Sequence, residues 1–121
     1  MDNKKILIVE DEVINALFLK KLVENQGYVC CGTATTGTDA INKSMLLQPD
    51  LILMDIFLGD EIDGIIATEK IHEKKDIPVI FLTASSDKAT YERAKSVHFN
   101  SFLTKPYDNG ELIKIINEIC R

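Results

Sequence analysis

Five short apolar runs recur along the 121-residue chain, and each is followed by a stretch with helical spacing. The runs are KKILIVE at 4–10, YVCCGTA at 28–34, DLILMD at 50–55, IPVIFLT at 77–83 and SFLT at 101–104. Near-continuous apolar strands alternating with helices read as a parallel sheet covered on both faces. Right-handed crossovers wind such a sheet into an open α/β domain. The second run is the weakest and is assigned to an edge.

The intervening segments carry periods of three and four. Residues 12–26 read as a helix, with Val13, Ala16, Leu17 and Lys20 on its inner stripe and Gly27 as its stop. Ala40, Ile41, Ser44, Met45 and Leu47 mark a second helix, ended by Pro49. Ile62, Ile65 and Ile66 open a third that reaches about His72. Residues 87–97 give a fourth, weakly amphipathic helix, capped by Ser86 or Asp87. Leu112, Ile115, Ile116 and Ile119 form the face of a fifth, with Asp108 as N-cap and Glu111 three residues on. No linker, repeat or low-complexity segment interrupts the pattern, so residues 1–121 read as one domain.

Composition narrows the function classes. The net charge of −5 argues against a nucleic-acid-binding surface. No run approaches the roughly 18 apolar residues of a membrane helix, and Ile6–Val9 is too short for a signal peptide. Cys30, Cys31 and Cys120 lack metal spacing and fit reduced thiols in a cytoplasmic protein. On a strand, Cys30 and Cys31 point to opposite faces.

In an open parallel sheet, ligands bind at the carboxyl ends of the strands. There the first strand delivers Glu10 and Asp11, the third Asp55, the fourth Thr83 and the fifth Lys105. Asp55 follows four apolar residues, and a lone carboxylate in such a run is costly unless compensated. Two carboxylates about 5 Å apart repel by roughly 3 kcal/mol at an effective dielectric of 20. Three together raise a pKa or recruit a cation. Oxygen donors suit Mg²⁺, with Mn²⁺ as a substitute. An aspartate can be a nucleophile and form an acyl phosphate. The cation, Lys105 and Thr83 could then each take one side of the phosphoryl group.

The chain resembles the receiver domain of two-component response regulators. The likeness rests on ILIVEDE at 6–12, PDLILMDI at 49–56, DGI at 63–65, IPVIFLTA at 77–84 and FLTKPYD at 102–108, in order and at family spacing. It implies a flavodoxin-like (βα)5 fold with strand order 2-1-3-4-5. It also implies that Asp55 accepts a phosphoryl group from a histidine kinase or a histidine phosphotransfer protein. Asp11, Asp55 and the backbone carbonyl of Phe57 would bind Mg²⁺ directly, and Glu10 through water. Thr83 and Lys105 would contact the phosphoryl group, Phe102 would be the switch aromatic, and the Lys105–Pro106 bond would be cis. Phosphorylation would draw Thr83 inward, turn Phe102 and reshape the surface of the fourth helix, fifth strand and fifth helix for an output partner. A dimer formed on phosphorylation would use the same face. Such a domain catalyses only its own phosphorylation and dephosphorylation and is not otherwise an enzyme.

Four departures from the family pattern are informative. The loop DIFLGDEIDG is one residue longer than the commonest form, with Gly59 where proline is usual. Phe57 is bulky and apolar where it faces the site and would shield the acyl phosphate. Ser85, two residues after Thr83, replaces larger polar groups and bears on hydrolysis. His98 and Phe99 replace a Gly-Ala pair, where histidine tolerates positive φ better than other bulky residues.

Other readings compete. Glu10, Asp11 and Glu12 could serve only as acids at a helix N-terminus. Lys105 could be a solvated lysine, Thr83 an ordinary strand residue and Phe102 plain core. His72 reads as exposed within a charged run, with no pairing to His98. Tyr28 and Tyr107 carry no readable signal. A haloacid-dehalogenase-type hydrolase needs a second acid where Phe57 stands, and a flavodoxin-like electron carrier needs a phosphate loop after the first strand. A degenerate receiver that only docks proteins is the remaining alternative.

Overall fold

The computed structural model describes residues 3–85 and 87–121. Strands β1 (Lys5–Val9), β2 (Val29–Ala34), β3 (Leu51–Asp55), β4 (Val79–Thr83) and β5 (Ser101–Thr104) alternate with five helices. These are α1 (Val13–Asn25), α2 (Gly37–Leu47), α3 (Gly64–His72), α4 (Lys88–Ala94) and α5 (Asn109–Cys120). All strands pair in parallel in the order β2-β1-β3-β4-β5. β2 is at the edge, as its weaker apolar content predicts, and its pairing with β1 shifts register between Ile6 and Leu7.

Every residue of β3 and β4 is buried, which is what an apolar run covered on both faces must be. Alternate side chains feed two cores. Ile6, Ile8, Leu53 and Leu82 pack with α1 and α5. Leu7, Val9, Met54 and Phe81 pack with α2, α3 and Ala94 of α4. Cys30 and Cys31 divide between the two, as strand alternation requires.

Several expectations need correction. The inner stripe of α1 is Ala16, Leu19 and Val23, whereas Val13 and Leu17 are 68% and 53% exposed. Apolar residues lie on both sides of this helix, so spacing alone admits two faces. α4 ends at Ala94, not residue 97, and the chain turns from Lys95 to reach β5. His98 takes no positive φ; among the described residues outside glycine, only Gln48, at the end of α2, does.

The caps are local. Thr36, Asp63 and Asp87 each accept the N–H of the third residue onward. Ser86 lies outside the described residues, and Asp87 is the cap of α4. Asp108 caps α5 through Gly110 N–H, without the reciprocal Glu111 bond of a capping box among the described residues.

Candidate functional site

Four strand ends meet at one edge of the sheet. Asp55 is the last residue of β3, opposite Leu82, and Thr83 extends β4 one step farther, opposite Thr104. Lys105 follows β5, and its N–H donates to the Thr83 carbonyl at 2.7 Å. Glu10 follows β1, and its N–H continues the ladder to Ala34. Backbone pairing therefore fixes where each of these side chains starts.

The ends converge as the motif order predicts. Carboxylate oxygens of Glu10, Asp11 and Asp55 lie within 4.8 Å of one another. The Lys105 ammonium donates to Glu10 Oε1 at 2.8 Å and to Asp55 Oδ2 at 3.3 Å. Glu10 and Asp55 are buried, and Asp11 is exposed at the rim. One ammonium thus pairs with two of three clustered carboxylates.

The electrostatics follow from burial and that imbalance. Burial pushes Asp55 up to about 6; the Lys105 charge opposes this and the Glu10 charge adds to it. Burial also acts to raise Glu10, but hydrogen bonds from Lys105 and from Glu12 N–H hold it below the usual carboxylate range. Asp11 is raised by burial and by Glu10. Burial acts to lower Lys105, but Glu10 and Asp55 more than reverse it. A site with excess negative charge and oxygen-only donors fits a hard divalent cation.

The loop after Asp55 closes one side. Phe57 N–H donates to Asp55 Oδ1 at 3.3 Å, so the Phe57 peptide lies at the carboxylate. Its side chain is 47% exposed. The longer loop is accommodated by folding back onto α2: Asp60 accepts from Gly37 N–H at 3.3 Å and from the Thr38 hydroxyl at 3.3 Å. Gly64 must be glycine, because a Cβ there would fall 2.1 Å from the Asp55 carbonyl oxygen. The DGI motif thus seats α3 directly against the backbone of the central acid.

Thr83 is fully buried, and its Oγ1 accepts from Ser85 N–H at 3.2 Å. The Ser85 hydroxyl donates to Asp87 Oδ2 at 2.6 Å, in the turn before α4. Phe102 packs edge-on against Tyr91 of α4, with ring centres 5.1 Å apart, and near Phe99 and Phe81. The Lys105–Pro106 peptide is cis.

Two features were missed in the sequence. Tyr107 lines a cleft of about 240 Å³ with Glu10, Phe18 and Lys105, beside the acids. Arg93 of α4 holds Asp63, the cap of α3, at 2.7 Å. Neither partner can be read from spacing, because each contact joins segments far apart in the chain. A roomier cleft of about 500 Å³, lined by Lys4, Tyr28 and Arg121, lies where the strands begin and holds none of the converging groups.

This geometry can be set beside known proteins. The response regulator receiver domain model matches residues 6–117. The chain is a response regulator receiver domain. It is 34% identical over 113 residues to the transcriptional regulatory protein PdtaR of Mycobacterium tuberculosis, covering 93% of this chain but 55% of PdtaR. The receiver domain thus spans about half the length of that relative. It is 29% identical to the chemotaxis protein CheY of Thermotoga maritima, over 98% of both chains. In three dimensions it is similar to the signal receiver domain of a modulated diguanylate cyclase from Desulfovibrio desulfuricans. That TM-score is 0.90, at 33% identity, with 98% of this chain and 94% of the other covered. The receiver domain of the sensor histidine kinase PA1611 from Pseudomonas aeruginosa matches at a TM-score of 0.84 and 29% identity, over 97% of both chains. That structure has a magnesium ion coordinated in its active-site cleft.

Proposed function

We propose that this receiver domain accepts a phosphoryl group on an Asp55 carboxylate oxygen, from a phosphohistidine of a kinase or a phosphotransfer protein. The observation that carries the reading is the convergence on Asp55: three carboxylates within 4.8 Å, with the Lys105 ammonium 3.3 Å away. In the transfer the donor P–N bond breaks, an O–P bond forms at Asp55, and the imidazole leaves with its electron pair. Asp11, Asp55 and the Phe57 carbonyl would hold Mg²⁺, or Mn²⁺, with Glu10 acting through water. The cation would neutralise charge on the phosphoryl oxygens. The magnesium bound in the PA1611 receiver supports this assignment.

The chain's own groups supply the rest. Lys105 is anchored by its shorter bond to Glu10, so its amine can follow a phosphoryl oxygen at Asp55. The Thr83 hydroxyl can donate to another oxygen of the new dianion. Movement of Thr83 then opens room for Phe102 to leave Tyr91, and the α4–β5–α5 face changes for an output protein or a second copy of the domain. The domain acts on itself and has no separate substrate. No described helix is long and apolar enough to cross a membrane, and the reading places the domain's action in the cytoplasm.

The test is phosphoryl uptake from acetyl phosphate, with Mg²⁺ and with EDTA. Uptake that needs Mg²⁺ is expected. No uptake under either condition would instead make the domain a phosphorylation-independent docking module.

A further inference from the structure

The chain contains two histidines, and both line one cleft. His72 closes α3, and His98 lies in the loop that leads into β5. The cleft is at the end of the sheet where β4 and β5 begin, opposite the edge that carries Asp55. The imidazole centres are 6.5 Å apart, with their planes inclined by 43°. Glu69, Glu73 and Asp76 line the same cleft, which has a volume of about 370 Å³.

His72 is oriented by the backbone. Its Nε2 lies 2.8 Å from the Ile77 carbonyl oxygen. A carbonyl only accepts, so Nε2 carries the proton and Nδ1 offers a lone pair. Metal-ligating histidines are held in this way, with the second ring nitrogen donating to a carbonyl or carboxylate. Glu69 stands three residues before His72 and shares its helix face. That Glu-x-x-His spacing sets a carboxylate beside an imidazole, as in helical metal sites.

We propose that Glu69, His72 and His98 form a binding site for a divalent first-row transition ion of the Zn²⁺ or Ni²⁺ class. Two imidazoles and one carboxylate suit such ions, whereas Mg²⁺ prefers oxygen donors alone. Two imidazoles on one ion have centres about 5–6 Å apart, given nitrogen–metal bonds of about 2.1 Å. The donor atoms of Glu69, His72 and His98 are not all within 4.8 Å of one another as they stand. The ring pair has to close by roughly 1 Å, and the exposed side chains of His98 and Glu69 can swing inward to do so. Glu73 and Asp76 add negative potential without having to ligate. A bound ion would tie the end of α3 to the loop before β5. Phe99, the next residue in that loop, has its ring 6.1 Å from Phe102, so the tie would reach the aromatic cluster on the α4–β5 face.

The test is calorimetric titration of the domain with ZnCl₂ and with NiCl₂, in excess Mg²⁺ so that the carboxylate site at Asp55 is occupied. One ion per chain is expected. His98→Gln and His72→Gln should each weaken binding about tenfold or more, Glu69→Gln should weaken it less, and Asp55→Asn should leave it unchanged. Glutamine at 72 keeps an N–H donor for Ile77, and melting of each metal-free variant checks its fold. Should His72→Gln unfold, the exposed His98→Gln decides alone. Absence of saturable binding, binding that survives His98→Gln, or binding lost with Asp55→Asn would overturn the proposal.

Discussion

Lys105 is bonded more closely to Glu10 than to Asp55: its ammonium lies 2.8 Å from the Glu10 carboxylate and 3.3 Å from Asp55. Glu10 is the more buried of the two acids, and the lysine holds its ionisation low despite that burial. Lys105 is thus part of the resting charge balance of the pocket as well as a candidate contact for an incoming oxygen. Lys105→Met should destabilise the metal-free domain by about 1–3 kcal/mol, since a buried carboxylate loses a charged partner. The same change should tighten Mg²⁺ binding on the order of tenfold, because the site loses its only local positive charge among the described residues. Thermal melting and Mg²⁺ titration check both. Weaker Mg²⁺ binding in the variant would contradict this account of the pocket.

Asp55 gives a pH dependence of defined sign. Its ionisation is raised from the ordinary 3.8 to about 6, first by burial. The folded state therefore holds the Asp55 proton more tightly than the unfolded chain does. This contribution to stability is present below about pH 4 and is lost as pH rises through about 6. At neutral pH the loss is on the order of 2–3 kcal/mol. In EDTA, Asp55→Asn should melt higher than wild type at neutral pH, and the gain should vanish near pH 4. An Asn variant that melts lower at neutral pH would show that Asp55 is not strained by burial.

Two glycines are dictated by close backbone approach. A Cβ at Gly37 would lie 2.0 Å from the Ile62 carbonyl oxygen, and one at Gly64 would lie 2.1 Å from that of Asp55. A Cβ at Gly59 would meet nothing within 4 Å. Gly37→Ala and Gly64→Ala should each cost about 3 kcal/mol or more, whereas Gly59→Ala should stay within about 0.5 kcal/mol. Urea unfolding measures all three. Equal effects at the three positions would refute the packing of the loop after Asp55 on α2 and α3.

Much of this architecture was legible in the residues. Strands buried on both faces must be nearly all apolar, so Leu51–Asp55 and Val79–Thr83 declare themselves, and polar residues at their ends declare the site edge. The α1 stripe did not, because Val13, Ile14, Leu17 and Phe18 are apolar yet exposed, and period alone cannot choose a face. The reading of His72 as exposed and unpaired with His98 is wrong: His72 is half-buried, bonds the Ile77 carbonyl and has the His98 ring centre 6.5 Å away. Their approach arises where the end of α3 and the loop before β5 return to one edge, and neither local sequence records that. The Arg93–Asp63 pair and the hold of Asp60 on α2 are likewise products of topology.

Phe57 separates lifetime from stability. Its N–H touches Asp55, while its side chain stays half exposed at the rim. Phe57→Asn should leave the melting temperature nearly unchanged and shorten the lifetime of the acyl phosphate by admitting water and a polar group. Decay of the phosphorylated form after removal of acetyl phosphate measures it. An unchanged or longer lifetime would remove the shielding role.

The identity of the accepting group is tested most directly by intact-mass measurement after incubation with acetyl phosphate and Mg²⁺. Wild type should gain the mass of one phosphoryl group, and Asp55→Asn should gain none. Equal gain by both proteins, or gain by neither, would contradict the assignment of Asp55 as the acceptor.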